Sequence, residues 1–244
     1  MTESAALPPP RGPLPWVAGG LGLALLAAGS WIGLFEAPAE QHMGDVQRIM
    51  YVHVPTAWNA MLAFTFAFAC ALLVLWRGDW RWDCRLEAAI EVGVVLSALL
   101  CIQGAIWARP TWGVWWDWDP RLTTTAVMLF AFIGILALRR FVDDPSRRAA
   151  WSAVATVIAY ADVPLVYFSV RWWNSLHQMQ STPETVSSPF HLPLRMNAFG
   201  VLLLTCAFIS LRARVAQLRL REELSPPPPA WAAPARAPAT GGAR

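Results

Sequence analysis

The chain has 244 residues, of which 56% are hydrophobic and only 14% are charged. A chain of this length can bury so many apolar side chains only in lipid, so the composition excludes an ordinary soluble domain and predicts a membrane protein. The formal net charge of +3 at pH 7 is carried by arginines that lie mainly beside apolar runs. It is too small to indicate a nucleic-acid partner.

Six apolar runs follow one another along the chain, and each is long enough to cross a hydrocarbon core. They are expected to be helical, because backbone groups in lipid need partners within their own segment. The sequence therefore predicts an all-α, polytopic membrane protein whose six spans are 16–35, 56–76, 86–107, 122–138, 150–170 and 194–211. Residues 1–15 are predicted to form a disordered lead before this membrane domain of residues 16–211, and residues 212–244 a basic and then Pro/Ala-rich tail.

The distribution of arginine predicts the orientation of the spans. The loops after the second and fourth spans, together with the start of the tail, hold more arginines than the other three loops. Loops of this kind stay on the cytoplasmic side, so both termini are predicted to be cytoplasmic. The loop between the third and fourth spans then faces outward, which for a bacterial inner membrane means the periplasm.

This outer loop carries a tryptophan-rich segment, residues 112–125, with the sequence WGVWWDWDPRLTTT. An indole has a wide apolar face and one N–H donor, so a cluster of indoles suits a membrane boundary or a flat conjugated ligand. We predict a short amphipathic helix here, with Asp117 and Trp118 on its far side. At helical spacing, the side facing the ligand carries Trp112, Trp115, Trp116 and Asp119.

The histidines all fall in the predicted outer loops: His42, His53, His177 and His191. This favours a ligand at the outer face over a transmembrane electron relay, whose histidines would lie inside the helices. His53 comes just before the second span, where Pro55 is expected to start the helix. His177 follows the fifth span, close to two tryptophans. Imidazole is a common axial ligand of haem iron, but the residues alone leave solvated loop histidines open and do not choose among the possible pairs.

Outer-face arginines are candidate partners for the propionates of a haem, since a guanidinium group matches a carboxylate. The alternative is that they anchor the chain at the interface. The candidates are Arg48, Arg109, Arg121 and Arg171. Three roles stay open for Asp119: pairing with Arg121, capping the start of the fourth span, and accepting a histidine N–H.

One carboxylate lies within a predicted span. Asp162 is near the middle of the fifth span and Pro164 follows it. A carboxylate there is costly, so Asp162 is expected to face the bundle interior, near backbone groups that Pro164 leaves free. Both a structural and a transport role remain open for it.

The segment WGVWWDWDPRLT resembles the WWD segment of the haem-handling proteins of cytochrome c biogenesis. Two further segments, RIMYVHVP before it and VPLVYFSVRWWNSLHQ after it, are similar to those of the CcmC family of haem delivery proteins. The resemblance covers nearly the whole chain between its two ends. Departures are small: Asp117 adds a second carboxylate at a variable position, and Asp162 stands where the family often has Asn.

The resemblance implies a haem b site on the periplasmic side of the inner membrane. His53 and His177 match the family's axial ligands, and Arg48 matches an arginine that faces a propionate. The platform for the haem would be formed by Trp112, Trp115, Trp116, Trp118 and Asp119. The partners implied are CcmE, a membrane-anchored haem chaperone that receives the haem covalently, the small membrane protein CcmD, and the ATP-driven CcmAB complex.

Two other functions compete with haem delivery. A subunit of a haem transporter would need polar or haem-sized features within the spans, and there Asp162 is nearly alone. A cytochrome c synthetase would resemble the larger WWD-bearing proteins, which have extra spans and a large outer domain. The sequence shows neither a GxxxxGK[ST] nucleotide motif nor an evident pair of nucleophile and base. We therefore expect a binding and delivery protein rather than an enzyme.

Overall fold

The computed structural model describes residues 12–182 and 184–225. Within them the secondary structure is helical, with no strand longer than an isolated bridge between Glu40 and Gly44. The α-helices are α1 (Leu14–Trp31), α2 (Met50–Arg77), α3 (Trp80–Trp112), α4 (Pro120–Phe141), α5 (Pro145–Tyr160), α6 (Asp162–Trp172) and α7 (His191–Leu224). A π-helical turn, Ile32–Glu36, continues α1, and 3₁₀ turns, Asp45–Ile49 and Ser188–Phe190, precede α2 and α7.

The six predicted spans are confirmed in number and order. Six helical segments of the described chain are long and apolar enough to cross a membrane, with α5 and α6 together forming the fifth. Several helices run further than the apolar runs do, since α3 begins at Trp80 and α7 continues to Leu224. The first part of the predicted tail is therefore helical. The lead and tail predicted for residues 1–11 and 226–244 lie outside the described residues.

Ion pairs join the helices at and beyond the ends of the apolar runs. At the end of the bundle near Arg139, that buried guanidinium donates to Asp83 at 2.7 and 3.0 Å and to Glu87 at 2.8 Å. Arg212 of α7 donates to Glu91 of α3 at 2.7 and 2.8 Å. Paired charges can lie along helices without being left unsatisfied, and these bonds join α3 to α4 and to α7.

Helices α1 and α7 pack closely because both carry glycine where they meet. A Cβ at Gly22 would lie 2.8 Å from the carbonyl oxygen of Gly200, and one at Gly200 would lie 2.9 Å from the amide nitrogen of Leu26. Contacts this short exclude any side chain. Small residues let helix backbones approach within a membrane, so α1, which is otherwise largely exposed, is held against α7.

The fifth span is broken at Ala161, between α5 and α6. Pro164 cannot donate to the carbonyl of Tyr160, and its ring disfavours a regular helix there. Asp162 follows the break and is partly buried, as expected, but its Oδ2 has no hydrogen-bond partner among the described residues. The expected contact with freed backbone groups is thus not seen at that oxygen.

Three connecting segments meet at one end of the bundle, which we call the histidine end: residues 37–44, 113–119 and 173–187. They meet there because each pair of successive spans returns the chain to this side. Below them the core is closed by the rings of Phe64 and Phe132, which are fully buried and stack with centroids 3.8 Å apart.

Candidate functional site

A cavity opens at the histidine end between α2, α3, α4 and α6, and the segment 173–187 covers part of it. Its upper wall combines aromatic rings, imidazoles and a guanidinium group, and its floor is apolar. The upper wall includes His53, Trp107, Trp112, Trp116, Arg121 and His177. The floor includes Met61, Cys101, Met128 and Val166.

His53 lies in the second turn of α2 and is buried. Its ring meets Trp107 edge to face, with centroids 5.4 Å apart. A Cβ at Gly104 of α3 would lie 3.3 Å from His53 Cε1, so the glycine allows the ring to lie close against α3. Nδ1 of His53 is buried and has no hydrogen-bond partner among the described residues.

The expectation that Pro55 starts the helix and leaves His53 at its mouth is wrong. Helix α2 begins at Met50, so both residues lie inside it. A proline in a helix leaves the carbonyl four residues earlier without its donor. Here the side-chain amide of Asn197, in α7, donates to the carbonyl of Tyr51 at 2.8 Å, which allows the helix to begin before the proline.

His177 approaches the cavity from the segment 173–187. Its backbone N–H donates to Ser175 Oγ at 3.0 Å, and its Nδ1 lies 2.9 Å from the carbonyl oxygen of Gln178. A neutral imidazole that donates from Nδ1 keeps the lone pair of Nε2 free for a metal. The ring centroids of His177 and His53 are 6.4 Å apart, and the ring planes differ by 29°.

The surroundings of His177 keep its imidazole neutral. Burial lowers its pKa to about 4, and the nearby charge of Arg121 acts in the same direction. The hydrogen bond with Gln178 and the charge of Asp119 oppose this shift without cancelling it. His177 is therefore in the form that binds metal at neutral pH.

Asp119 connects the tryptophan segment to the segment that carries His177. Its Oδ1 accepts from the backbone N–H groups of Arg121 at 2.8 Å and Leu122 at 3.1 Å, which caps α4. Its Oδ2 accepts from the hydroxyl of Ser175 and from the N–H of Leu176 at 2.9 Å. Burial raises the pKa of this carboxyl, but the four bonds outweigh burial and lower the pKa below its ordinary value.

Of the three roles left open for Asp119, the structure therefore shows the cap. The carboxylate also bonds the chain next to His177, but it does so through Ser175 and Leu176 and not through the imidazole ring. In the described part of the chain, its hydrogen bonds go to backbone amides and to one hydroxyl.

The short amphipathic helix expected in the tryptophan segment is not present. Helix α3 ends at Trp112, where Gly113 takes a left-handed conformation with φ of 79°. Residues 113–119 are then non-helical, and Asp119 is extended, as the residue before a proline prefers to be. The glycine and the proline thus stop the helix from either side, and the predicted helical phase of the indoles is wrong.

Without that helix, the four tryptophans separate into two pairs. Trp112 and Trp116 line the cavity. Trp115 and Trp118 do not, and they are 60% and 76% exposed. Trp118 contacts a residue of the cavity wall, because its ring packs edge to face on that of Trp116 with centroids 5.9 Å apart.

The structure brings Arg121 to the cavity and places the other candidate arginines elsewhere. Nη1 of Arg121 is buried without a hydrogen-bond partner among the described residues. Arg48 is engaged by the carbonyls of Gly33 and Ala37, at 2.6 and 3.0 Å, and by Asp45 at 2.8 Å. It does not line the cavity. Arg109 donates to the carbonyl of Gly113, and Arg171 is exposed.

Three buried donors in the cavity wall have no acceptor within the described residues: Arg121 Nη1, Trp107 Nε1 and Trp116 Nε1. Buried donors are normally satisfied, and leaving one unpaired costs about 1–3 kcal/mol. The cavity thus suits a flat apolar molecule that also carries acceptors, and the residues present fit a haem with its propionates. Sequence reasoning missed Trp107, although its position five residues before Trp112 extends the aromatic run into α3.

We expect Asp119→Asn to loosen the segment 173–187 while leaving the cap at Oδ1. The amide nitrogen that replaces Oδ2 cannot accept from Ser175 or Leu176, and such a loss costs about 2 kcal/mol of local stability. Backbone amide exchange in 173–187, followed by mass spectrometry, should accelerate. Asp117→Asn is the matched control, since Asp117 makes no hydrogen bond or ion pair with described residues. Equal exchange in both variants would contradict the role given to Asp119.

Comparison with known proteins gives the family. The family model described as heme exporter protein C matches residues 10–225. The heme exporter protein C of Bradyrhizobium diazoefficiens is 35% identical over 218 residues, covering 85% of this chain and 81% of that protein. The proteins of the same name from Escherichia coli K12 and Haemophilus influenzae are 32% and 34% identical, each with 82% of both chains covered. The chain belongs to the CcmC, or heme exporter protein C, family.

Proposed function

We propose that this protein binds haem b at the periplasmic face of the bacterial inner membrane, between His53 and His177, and delivers it to a haem chaperone for cytochrome c maturation. The names of its relatives support a haem-handling role. The pair of histidines supports the finer proposal, because the fold brings their rings, which come from distant parts of the sequence, to a centroid separation of 6.4 Å.

The spacing of the two imidazoles carries the proposal. A metal–imidazole bond is about 2 Å long, and a ring centroid lies about 1 Å from each ring atom, so two imidazoles on opposite sides of one iron have centroids about 6 Å apart. The observed separation is 6.4 Å. The two rings also come from different elements, a helix and a connecting segment, so the pair can open on one side.

The remaining wall fits the rest of a haem. Indoles of Trp112 and Trp116 offer flat apolar faces beside the histidine pair. The guanidinium of Arg121, which has an unpaired Nη1, would donate to one propionate. Bound haem would supply the iron for both imidazoles, and its vinyl group would be the point at which the whole haem becomes joined to the chaperone's histidine. The protein's part is to hold and orient the haem, with its imidazoles neutral and water excluded from the floor.

Delivery is favoured over transport across the membrane by the closed core beneath the cavity. The stacked rings of Phe64 and Phe132 lie about one turn below the floor residues Met61 and Met128. Both rings are fully buried. The cavity therefore opens toward the histidine end and is blocked toward the opposite end, as expected of a site that receives and releases its ligand on one side.

We propose that the chaperone, CcmE, approaches the cavity at the exposed indoles of Trp115 and Trp118. They adjoin the cavity without lining it. Exposed tryptophan at a rim suits either a protein partner or the lipid interface. CcmD and the CcmAB complex complete the proposed set of partners, and any use of ATP falls to CcmAB.

The proposed orientation follows from the arginine distribution. Reporter fusions that end within 113–119 should be active only for a reporter that folds in the periplasm. Fusions that end within 142–144, after α4, should be active only for a reporter that works in the cytoplasm. The reverse pattern would place the cavity on the cytoplasmic side.

Replacing His53 and His177 together with alanine should remove the Soret absorption of the detergent-purified protein once it has been loaded with haemin and separated from unbound haemin, because a protein without either iron ligand does not retain haemin. The control replaces His42 and His191, neither of which lines the cavity. That variant should keep the band. Size-exclusion profiles show whether each variant is folded, and a folded double variant of the first pair that keeps its Soret band would refute the ligand assignment.

The lowered pKa of His177 predicts an unusual pH profile. Diethyl pyrocarbonate modifies only the neutral imidazole, so a pKa of about 4 should keep the rate of modification of His177 constant from pH 8 to pH 5. An unperturbed histidine, with a pKa of about 6.5, slows over that range as it is protonated. A synthetic peptide of residues 171–181 is the control. Parallel profiles for protein and peptide, measured by mass spectrometry, would show that the fold does not hold His177 neutral.

The two tryptophan pairs should differ in what they affect. Changing Trp112 and Trp116 to alanine removes cavity wall and should weaken haemin affinity by at least about tenfold, since each indole buries about 150–250 Å². Changing Trp115 and Trp118 should leave haemin affinity unchanged and slow transfer to the chaperone. Haemin titration and a transfer assay with the soluble chaperone domain measure the two effects. Equal loss of affinity in both variants would contradict the division into pairs.

A further inference from the structure

The turn of α2 that holds His53 contains a defect in its backbone hydrogen bonding. Pro55 has no N–H, so the carbonyl of Tyr51 lacks the donor that a regular helix would give it. His53 lies midway between these two residues. Water cannot relieve the carbonyl, because Tyr51 is almost fully buried. Whatever donates to this carbonyl therefore also fixes the turn that aims His53 at the cavity.

The donor is Asn197 of α7, whose amide lies 2.8 Å from the carbonyl oxygen of Tyr51. Asn197 is completely buried. Its side chain packs against Gly29 of α1, where only a glycine leaves enough space. A Cβ at Gly29 would lie 2.3 Å from Asn197 Oδ1. The close packing of α1 on α7 thus fixes the position of the amide.

Two other contacts hold the same turn in place. The ring of Tyr51 packs on Gly33, where a Cβ would lie 2.5 Å from Tyr51 Cδ2. On the opposite side, Gly104 admits the ring of His53. The turn is therefore clamped between α1 and α3 by packing, while Asn197 supplies the one hydrogen bond that replaces the missing backbone donor.

We infer that Asn197 is a positioning residue for the iron ligand His53, acting through the carbonyl of Tyr51. This inference rests on the proposed function, in that His53 is taken to bind iron. An apolar residue at position 197 would leave the carbonyl unsatisfied, and the turn would relax to find another donor. His53 would then move relative to His177, because its own ring has no hydrogen bond in the described structure that would hold it.

The test variant is Asn197→Leu, which keeps the number and branching of the side-chain heavy atoms and removes the donor. Supporting groups of metal ligands typically contribute about 10–100-fold to affinity, so haemin affinity should fall at least about tenfold and the low-spin spectrum should become partly high-spin. The matched control is Asn59→Leu. Asn59 is equally buried and also joins α2 to α7, but it donates to the carbonyls of Pro55 and Ala198 at 2.9 and 3.3 Å. Equal spectral change in both variants would overturn the inference.

Repeating the Asn197→Leu change in a protein that also carries Pro55→Ala tests the role of the Tyr51 carbonyl directly. Pro55→Ala restores a backbone N–H that can donate to Tyr51, so Asn197→Leu should then change haemin affinity by less than about twofold. An undiminished effect in this background means that Asn197 acts in some other way, and the inference is wrong. The same holds if the Asn197→Leu protein fails to fold in both backgrounds.

A measurement on the haem-free protein separates this inference from the proposed function. Carbethoxylation of buried His53, followed by mass spectrometry, should accelerate about tenfold in Asn197→Leu and stay near the wild-type rate when Pro55→Ala is added. Unchanged reactivity in Asn197→Leu would overturn the positioning role. If instead the wild type binds no haemin while His53 reacts as expected, the proposed function fails and the positioning role stands.

Discussion

The structure depends on one constraint, which is that backbone polar groups in or near hydrocarbon must find partners inside the protein. Regular helices satisfy this constraint with their own backbone hydrogen bonds, and six helical segments of the described chain are long and apolar enough to cross a membrane. The candidate site breaks the regular pattern in two places. Pro55 removes a donor within α2, and residues 113–119 leave the helix altogether. Polar side chains meet both departures. Asn197 bonds the backbone at the first, and Arg109 and Asp119 bond it at the two ends of the second.

Asn197 and Asp119 each support the segment that carries one of the two histidines. Asn197 bonds the turn that holds His53, and Asp119 bonds the residues just before His177. Neither contacts an imidazole. His53 thus lies on a helix, whereas His177 lies on a connecting segment. That segment is held by Asp119 and by Gln180, whose amide donates to the carbonyl of Tyr167 at 2.6 Å. For the proposed delivery of haem this difference matters, because the site would have to bind its cargo and then release it, and the histidine on the connecting segment is the proposed ligand that we expect to move.

The sequence was sufficient for features that depend on local composition. Six apolar runs predicted six spans, and the resemblance of the segments around His53 and His177 to the CcmC family indicated the pair that the fold brings together. It failed where distant residues decide. The parts of α3 and α7 that extend beyond the apolar runs carry ion pairs with other helices, Asp83 with Arg139 and Glu223 with Arg148, and no local pattern reveals such partners. The helical phase of the tryptophan segment was also wrong, although Gly113 and Pro120 were visible signals against a helix.

The arginines are a clearer example of what the local sequence cannot predict. Arg48 and Arg121 are equivalent in the sequence as outer-face guanidinium groups, but the fold uses them differently. Arg48 satisfies two carbonyls at the end of α1, so its charge is committed to structure. Arg121 has a buried nitrogen with no partner in the described chain and faces the histidine pair. A buried donor is costly to leave unpaired, and in the proposed complex a propionate would accept from this nitrogen while the two imidazoles would hold the iron.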